Sequence, residues 1–350
     1  MADKTTIIEI AKESGVSIAT VSRVLNGTVP VAPQTRERVE AVIRKYNYSP
    51  NALARGLVSR QSMSIGVLMP DISNPYFSTI FSEIESAAHE AGYSTMLCNT
   101  LYRSENNSCL EEEYMQMLMD KHVDGVIIAG GQQDLVNPGQ GYLDALKRLA
   151  SSLPLVMVGE RIEDIPCIFL DRENADGVLT AVRHLVELGH RRIAFLGGED
   201  GIKITRSRIS AYEESLKTFG IRPDPSLIFL SDYYVKDGYA AAKSLIAANA
   251  SCTAAIAVND NVALGAMRAF IDHGLNVPKD ISLISCEQFP NAAYYFPRLT
   301  SVDRHSELLG RRVIRTLLQA MKNGAGAQNT DPILAELIVR DSCCTPASQR

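Results

Sequence analysis

Between Ser17 and Arg23 the chain reads Ser-Ile-Ala-Thr-Val-Ser-Arg, and only the last residue has a long, multiply donating side chain. A guanidinium presents a planar fork of N–H donors that matches the O6/N7 edge of guanine bidentately. The small residues Ala19 and Ser22 beside it would let a duplex come close. Ile18 and Ala19 offer only apolar contact, for instance with a thymine methyl. Ser17, Thr20 and Ser22 carry hydroxyls suited to phosphate oxygens, which position a protein without reading sequence. A phosphate contact is the alternative role for Arg23.

These residues need a helix that shows one face and buries the other. Thr6 is an N-cap candidate for a first helix, with Ile7, Ile10 and Ala11 as its apolar stripe. Gly15 ends that helix, where a left-handed backbone costs least. Ser17 can cap the next one, with Val21, Val24 and Leu25 inward and Ile18, Ala19, Ser22 and Arg23 outward. A third helix is expected from Pro33 to Tyr46, with Val39, Val42, Ile43 and Tyr46 as its core stripe; Ala32 before it forfeits a side-chain cap. The pattern fits a helix-turn-helix that lays its second helix in the major groove, and equally an ordinary helical hairpin. The helices alone do not choose between the two, so the rest of the chain has to. After Tyr48-Ser49-Pro50, residues Asn51 to Leu57 are expected to form a further short helix, conditionally folded because it is short and Gly56 weakens it by ~1 kcal/mol.

The 350 residues suffice for two or three domains. No apolar run approaches the roughly 20 residues of a membrane span, and the N-terminus lacks a signal-peptide pattern. The seven cysteines, at 98, 109, 167, 252, 286, 343 and 344, show no zinc spacing and read as thiols of a reducing cytoplasm. Net charge is −5, unevenly spread: residues 1–60 hold nine basic and five acidic residues, and the remainder carries −9. A basic head on an acidic body is the pattern of a modular DNA binder.

From Ser64 apolar strands alternate with amphipathic helices. The first series is Ile65–Met69, Pro75–Ala91, Ser94–Cys98, Cys109–Lys121, Gly125–Ala129, Tyr142–Ser151 and Leu155–Val158. A second begins at Ile168–Leu170 and runs to the strand Ile281–Ser285. Continuous apolar strands alternating with helices mean parallel sheets covered on both faces. The fold class is therefore a small all-α head plus two doubly wound α/β lobes, with the cleft between the lobes as the default ligand site.

Several signatures in order then carry a resemblance. Ala19-Thr-Val-Ser-Arg-Val-Leu-Asn-Gly27, Tyr48-Ser-Pro-Asn-Ala-Leu-Ala-Arg-Gly-Leu57, Ser73-Asn-Pro-Tyr-Phe77, Leu188-Gly-His-Arg-Arg-Ile193, Asn259-Asp260 and Pro297-Arg-Leu-Thr-Ser-Val302 together make the chain resemble the LacI/GalR family of bacterial transcription regulators, nearly end to end. The resemblance implies a head at 1–49, a hinge at 50–61 and a periplasmic-binding-protein-like sensing domain at 62–350. Its N-lobe would span about 62–163 and 304–334, its C-lobe 164–303 and 335–350. It implies a homodimer on a pseudo-palindromic operator. It places Thr6, Ser17, Ile18, Ala19, Thr20, Ser22, Arg23 and Asn26 of the head, and Asn51, Ala54, Arg55 and Leu57 of the hinge, at DNA. Leu57 would wedge into the minor groove, or pack on its dimer mate.

For the cleft the resemblance implies Asn74, Tyr76, Phe77, Glu160, Arg161, Arg206, Tyr233, Asn259, Glu287 and Arg304, with Arg208 as the fallback for Arg206. Aromatic faces and planar polar groups suit a sugar. If Glu287 pairs with Arg304, the effector is a neutral sugar; if Arg304 is free, it could join Arg161 and Arg206 in gripping a carboxylate or phosphate. The expected function is a sugar-responsive repressor. The alternative is a corepressor-dependent repressor, or an activator, that senses a nucleoside, purine or anionic sugar. No Gly-x-Gly-x-x-Gly, P-loop or Gly-x-Ser-x-Gly occurs, and the six histidines show no metal spacing, so no catalytic residue, metal or cofactor is expected. The residues after Asp341 carry no leucine heptad, so a dimer is expected rather than a tetramer.

Overall fold

The computed structural model describes residues 5–26, 30–46, 48, 61–101, 110–171, 174–323 and 332–346. Met1–Met63 and Ser64–Arg350 form separate compact units.

The first unit holds α1 (Ile7–Ser14), α2 (Ile18–Asn26) and α3 (Pro33–Lys45). Thr6 and Glu9 close a reciprocal capping box on α1, and Gly15 takes the left-handed conformation at its end, with φ 64°. The Ser17 hydroxyl accepts from the Thr20 N–H and caps α2. Ala32 gives α3 no side-chain cap. Ile10, Ala11, Val21, Val24 and Val39 form the core, with Val42 and Ile43 against it. Tyr46, expected in that stripe, is 41% exposed. It follows the last residue of α3, where the helical phase no longer fixes its direction, and the Lys45 ammonium lies over its ring.

The second unit contains two sheets. The N-lobe sheet has the order β2-β1-β3-β4-β5 and is wholly parallel. Its strands are β1 (Ser64–Met69), β2 (Ser94–Asn99), β3 (Gly125–Ala129), β4 (Leu155–Val158) and β5 (Ile168–Leu170). Helices α4 (Pro75–Glu90), α5 (Leu110–Asp120) and α6 (Gln140–Ser152) connect the first four. The buried residues of β1, β3 and β4 alternate between two cores. One holds Ile80 and Ile84 of α4, the other Met115 and Leu118 of α5 with Leu146 and Leu149 of α6.

Two features depart from the sequence reading. Ile168–Leu170, expected to open the second series, instead joins the edge of the first sheet, pairing with Val156–Val158. A three-residue apolar run records burial but not which sheet it enters, so the N-lobe extends past the expected boundary at 164. A long helix not foreseen as an element, α11 (Ser306–Asn323), returns to the N-lobe and buries Val313, Ile314 and Leu317 beside α4.

The C-lobe sheet has the order β11-β10-β9-β8-β6-β7. It comprises β6 (Ile193–Leu196), β7 (Ile228–Phe229), β8 (Ala254–Ala257), β9 (Ser282–Ser285), β10 (Thr300–Asp303) and β11 (Glu336–Ile338). All its pairings are parallel except β10 with β11. Helices α7 (Asn174–Glu187), α8 (Lys203–Thr218), α9 (Val235–Ala247) and α10 (Asp260–Asp272) build one core around Phe195, Ile256 and Phe270. His190, at the corner between α7 and β6, is 1% exposed and bonds Thr253, Ser282 and the Cys344 carbonyl. It fastens the closing segment of the chain to the sheet. Among the described residues no helix is long and apolar enough to cross a membrane.

Candidate effector cleft and DNA-facing helix

The loops at the carboxyl ends of both sheets face one cleft of about 940 Å³, its open mouth included. This is where ligands sit in doubly wound folds, because parallel strands deliver their following loops to one edge. From the N-lobe come Pro70, Asp71, Asn74, Tyr76 and Phe77 after β1, Leu101 after β2, and Gly131 and Asp134 after β3. The C-lobe supplies Glu199, Ile202, Ile204 and Arg208 after β6, Asp232, Tyr233 and Tyr234 after β7, Asn259 after β8 and Glu287 after β9.

The polar groups are held before any ligand arrives. Asn74 caps α4 by accepting from the Tyr76 N–H at 3.1 Å, and the Tyr76 and Phe77 rings meet edge to face at 5.0 Å. Asn259 caps α10 through Val262 at 2.9 Å and donates to the Tyr233 carbonyl at 3.1 Å. The Tyr233 hydroxyl pairs with Thr205, and burial pushes its pKa up to about 12. Arg208, 1% exposed, donates to the Val258 carbonyl at 2.8 Å and to Glu287 Oε2 at 2.9 Å. Desolvation, the largest influence, opposes its charge, but Glu287, Cys286 and Tyr233 together outweigh it, and the guanidinium is held above its ordinary value. The Tyr234 hydroxyl donates to Asp71 across the cleft.

The cleft thus gathers Asn74, Tyr76, Phe77, Tyr233, Asn259 and Glu287 of the expected set. Of Arg206 and its fallback Arg208, it is Arg208 that lines the cleft. On α8, Thr205, Arg208 and Tyr212 fall on one buried face at helical spacing, which turns Arg206 to solvent. Glu160 and Arg161 are exposed and line no part of the cleft. They follow β4 at the sheet edge nearer β5, and the Arg161 guanidinium stacks over Phe169 at 5.4 Å. Arg304 is also absent from the lining and packs beside Gly177 of α7. Glu287 pairs with Arg208. Sequence reasoning missed Asp71, Asp134, Glu199, Asp232 and Tyr234. Each lies within a few residues of a strand's carboxyl end, and that position is the signal that could have found them.

In the head, Ser17, Ile18, Ala19 and Arg23 are exposed, while Thr20 and Ser22 are half-buried. Ile18 is 48% exposed, unusual for a branched apolar side chain with a core at hand. Thr6 and Ser17 both serve caps, and Ser17 also bonds the Thr20 hydroxyl at 2.9 Å. The Asn26 side chain, Asn51, Ala54, Arg55 and Leu57 lie outside the described residues.

A helix-turn-helix head joined to two parallel-sheet lobes around a polar and aromatic cleft defines the class of ligand-responsive DNA-binding regulators. Residues 6–51 match the bacterial regulatory proteins of the lacI family, and residues 182–343 match the periplasmic binding protein-like domain. The chain is 32% identical over 340 residues to the HTH-type transcriptional repressor PurR of Haemophilus influenzae, across 96% of this chain and 98% of that one. It superposes with TM-score 0.86 and 28% identity on a lac repressor dimer bound to operator and the anti-inducer ONPF, covering 98% of this chain and 100% of that one. A complex of the transcriptional regulator CelR with cellobiose gives TM-score 0.69 at 28% identity, over 97% and 99% of the two chains. The protein belongs to the LacI family and is a sequence-specific DNA-binding transcriptional regulator.

Proposed function

We propose that the protein is a cytoplasmic homodimeric repressor whose hold on a pseudo-palindromic operator is set by a neutral, carbohydrate-type effector in the inter-lobe cleft. The carrying observation is the cleft lining. Tyr76, Phe77, Tyr233 and Tyr234 contribute aromatic rings, and Asn74, Asn259, Arg208 and Glu287 contribute fixed polar groups. That combination suits a ring with apolar faces and hydroxyl edges. Among the described lining residues Arg208 is the cation, and its charge meets Glu287, whereas Asp71, Asp134, Glu199 and Asp232 are acidic. An anionic effector would enter a field of its own sign. The cellobiose bound by CelR gives a precedent in a similar fold. The Arg208–Glu287 pair supports a neutral ligand in the way that a Glu287–Arg304 pair would.

For DNA, Arg23 is the proposed base reader, with Ile18 and Ala19 in apolar contact and Ser17, Thr20 and Ser22 on phosphates. Thr6 and Asn26 would flank them. Asn51, Ala54, Arg55 and Leu57 are proposed as hinge contacts, Leu57 as the wedge. The domain boundary after residue 61 accords with the unit that starts at Ser64. Thermal-shift measurements on the full chain with neutral sugars, sugar acids, sugar phosphates and nucleosides test the effector class. A ligand at 100 times its Kd stabilises by about 2.7 kcal/mol. A neutral sugar is expected to raise the melting temperature; a response confined to nucleosides or anionic sugars would overturn the assignment.

A further inference from the structure

Glu111 stands on the first turn of α5, outside the cleft lining, but it is packed directly behind one wall. Its side chain is 3% exposed. Oε1 accepts from the Gln132 N–H at 3.0 Å, and among the described residues Oε2 has no hydrogen-bond partner. Gly131 passes so close, at φ +84°, that a Cβ there would stand 2.5 Å from Oε1. The buried Tyr142 hydroxyl of α6, which acts on the same region, also lacks a partner among the described residues. Among the described residues, the charged groups acting on Glu111 are two carboxylates, Glu112 on its own helix and Asp134 after β3. Beyond Tyr142 stands the Cys167 thiol.

The segment that Glu111 touches has two duties. Gly131 and Asp134 line the cleft. Its continuation crosses to the C-lobe: the Val136 N–H donates to the Gly201 carbonyl at 2.8 Å, and Leu135 bridges Ile202, itself a lining residue. The Lys203 ammonium donates to the Gln133 carbonyl at 2.9 Å. Residues 131–136 are therefore a strap that walls the cleft and ties one lobe to the other.

We propose that Glu111 is a positioning residue for the effector response: as the neutral acid it holds this strap in the form that bonds across the cleft, and its ionisation loosens the strap. Burial, with the two neighbouring carboxylates, pushes the Glu111 carboxyl up to about 8. A charge placed there has no partner at Oε2 among the described residues and must draw water in, which requires the strap to move. The consequence for effector binding rests on the proposed reading of the cleft, whereas the strap can be tested without ligand.

The experiment is hydrogen exchange on the full chain at about pH 6.5 and about pH 9, with exchange times scaled for the intrinsic rate. The readouts are the strap peptide and a β8 control peptide. In the wild type the strap is expected to lose roughly tenfold in protection at the higher pH, the ratio of ionised to neutral acid one unit above the pKa. The β8 peptide should not change. Glu111→Gln, which keeps an acceptor but cannot ionise, should hold its protection at both pH values. Glu111→Ala should lower strap protection at both; should it fail to fold, the Gln variant still decides. Equal wild-type protection at the two pH values, or a Gln variant that loses as much as the wild type, would overturn the proposal. If the strap behaves as expected and no sugar binds, only the effector reading fails.

Discussion

Residue identity mattered most where a charge is buried. Arg208 and Glu287 are almost fully enclosed and satisfy each other. Such a pair adds little net stability, but removing one partner strands the other. Glu287→Gln is therefore expected to cost about 3 kcal/mol in urea denaturation. Asp260 is buried as well, accepting from the Phe289 N–H at 2.7 Å and the Ser301 hydroxyl at 2.9 Å. Burial outweighs those bonds and pushes its pKa up to about 6, from 3.8. As pH rises between these values the unfolded chain releases the proton first, so the native state binds more protons and this residue's contribution to stability falls. The stability of the wild type minus that of Asp260→Asn should decline from about pH 4 to about pH 6 and then level off. A difference independent of pH would mean that Asp260 does not titrate there. Neither enclosure is legible in the sequence, because each is closed by residues far apart along the chain. The same holds for Arg206 and Arg208: both are arginines of one motif, and only the phase of α8 against the sheet decides which faces the cleft.

Elements were more legible than their partners. The caps of α1 and α2 and the glycine between them were readable because each satisfies backbone groups within four residues. The missing cap at Ala32 was readable for the same reason. Ala32→Ser is expected to stabilise the head by about 1 kcal/mol, and Thr6→Ala to destabilise it by a similar amount, in thermal unfolding. Strand membership was not readable for β5, since pairing across sheets is nonlocal and its three residues are apolar in either setting. The helix α11 escaped notice as the chain recrosses between lobes there, outside the strand-helix alternation.

At the scale of the whole molecule, the second unit shows apolar surface that its own cores leave uncovered. Tyr294 is 86% exposed and Phe296 93%, and beyond the edge strand β11 Val339 is 60% exposed. Exposed aromatics in such proximity mark association surfaces. Phe296→Asp is expected to shift the proposed dimer toward monomer in sedimentation, and an unchanged dimer would place the interface elsewhere. The lobes themselves were visible from the sequence as alternation; the cross-cleft contacts of Tyr234 with Asp71 and of Val136 with Gly201 were not, since each joins residues from different lobes.

The central claim is that the cleft controls the head. It is tested most directly by selecting an operator from random duplex DNA with the full chain, then measuring its binding with and without the neutral sugar that raises the melting temperature. The wild type is expected to lose at least about tenfold in affinity when that sugar is added, a coupling of roughly 1.4 kcal/mol. Arg208→Met, with a similar unbranched volume but no fork of donors, should bind the operator equally well and ignore the sugar. A variant that still responded, or a wild type whose operator affinity was unchanged or increased by the sugar, would contradict the account.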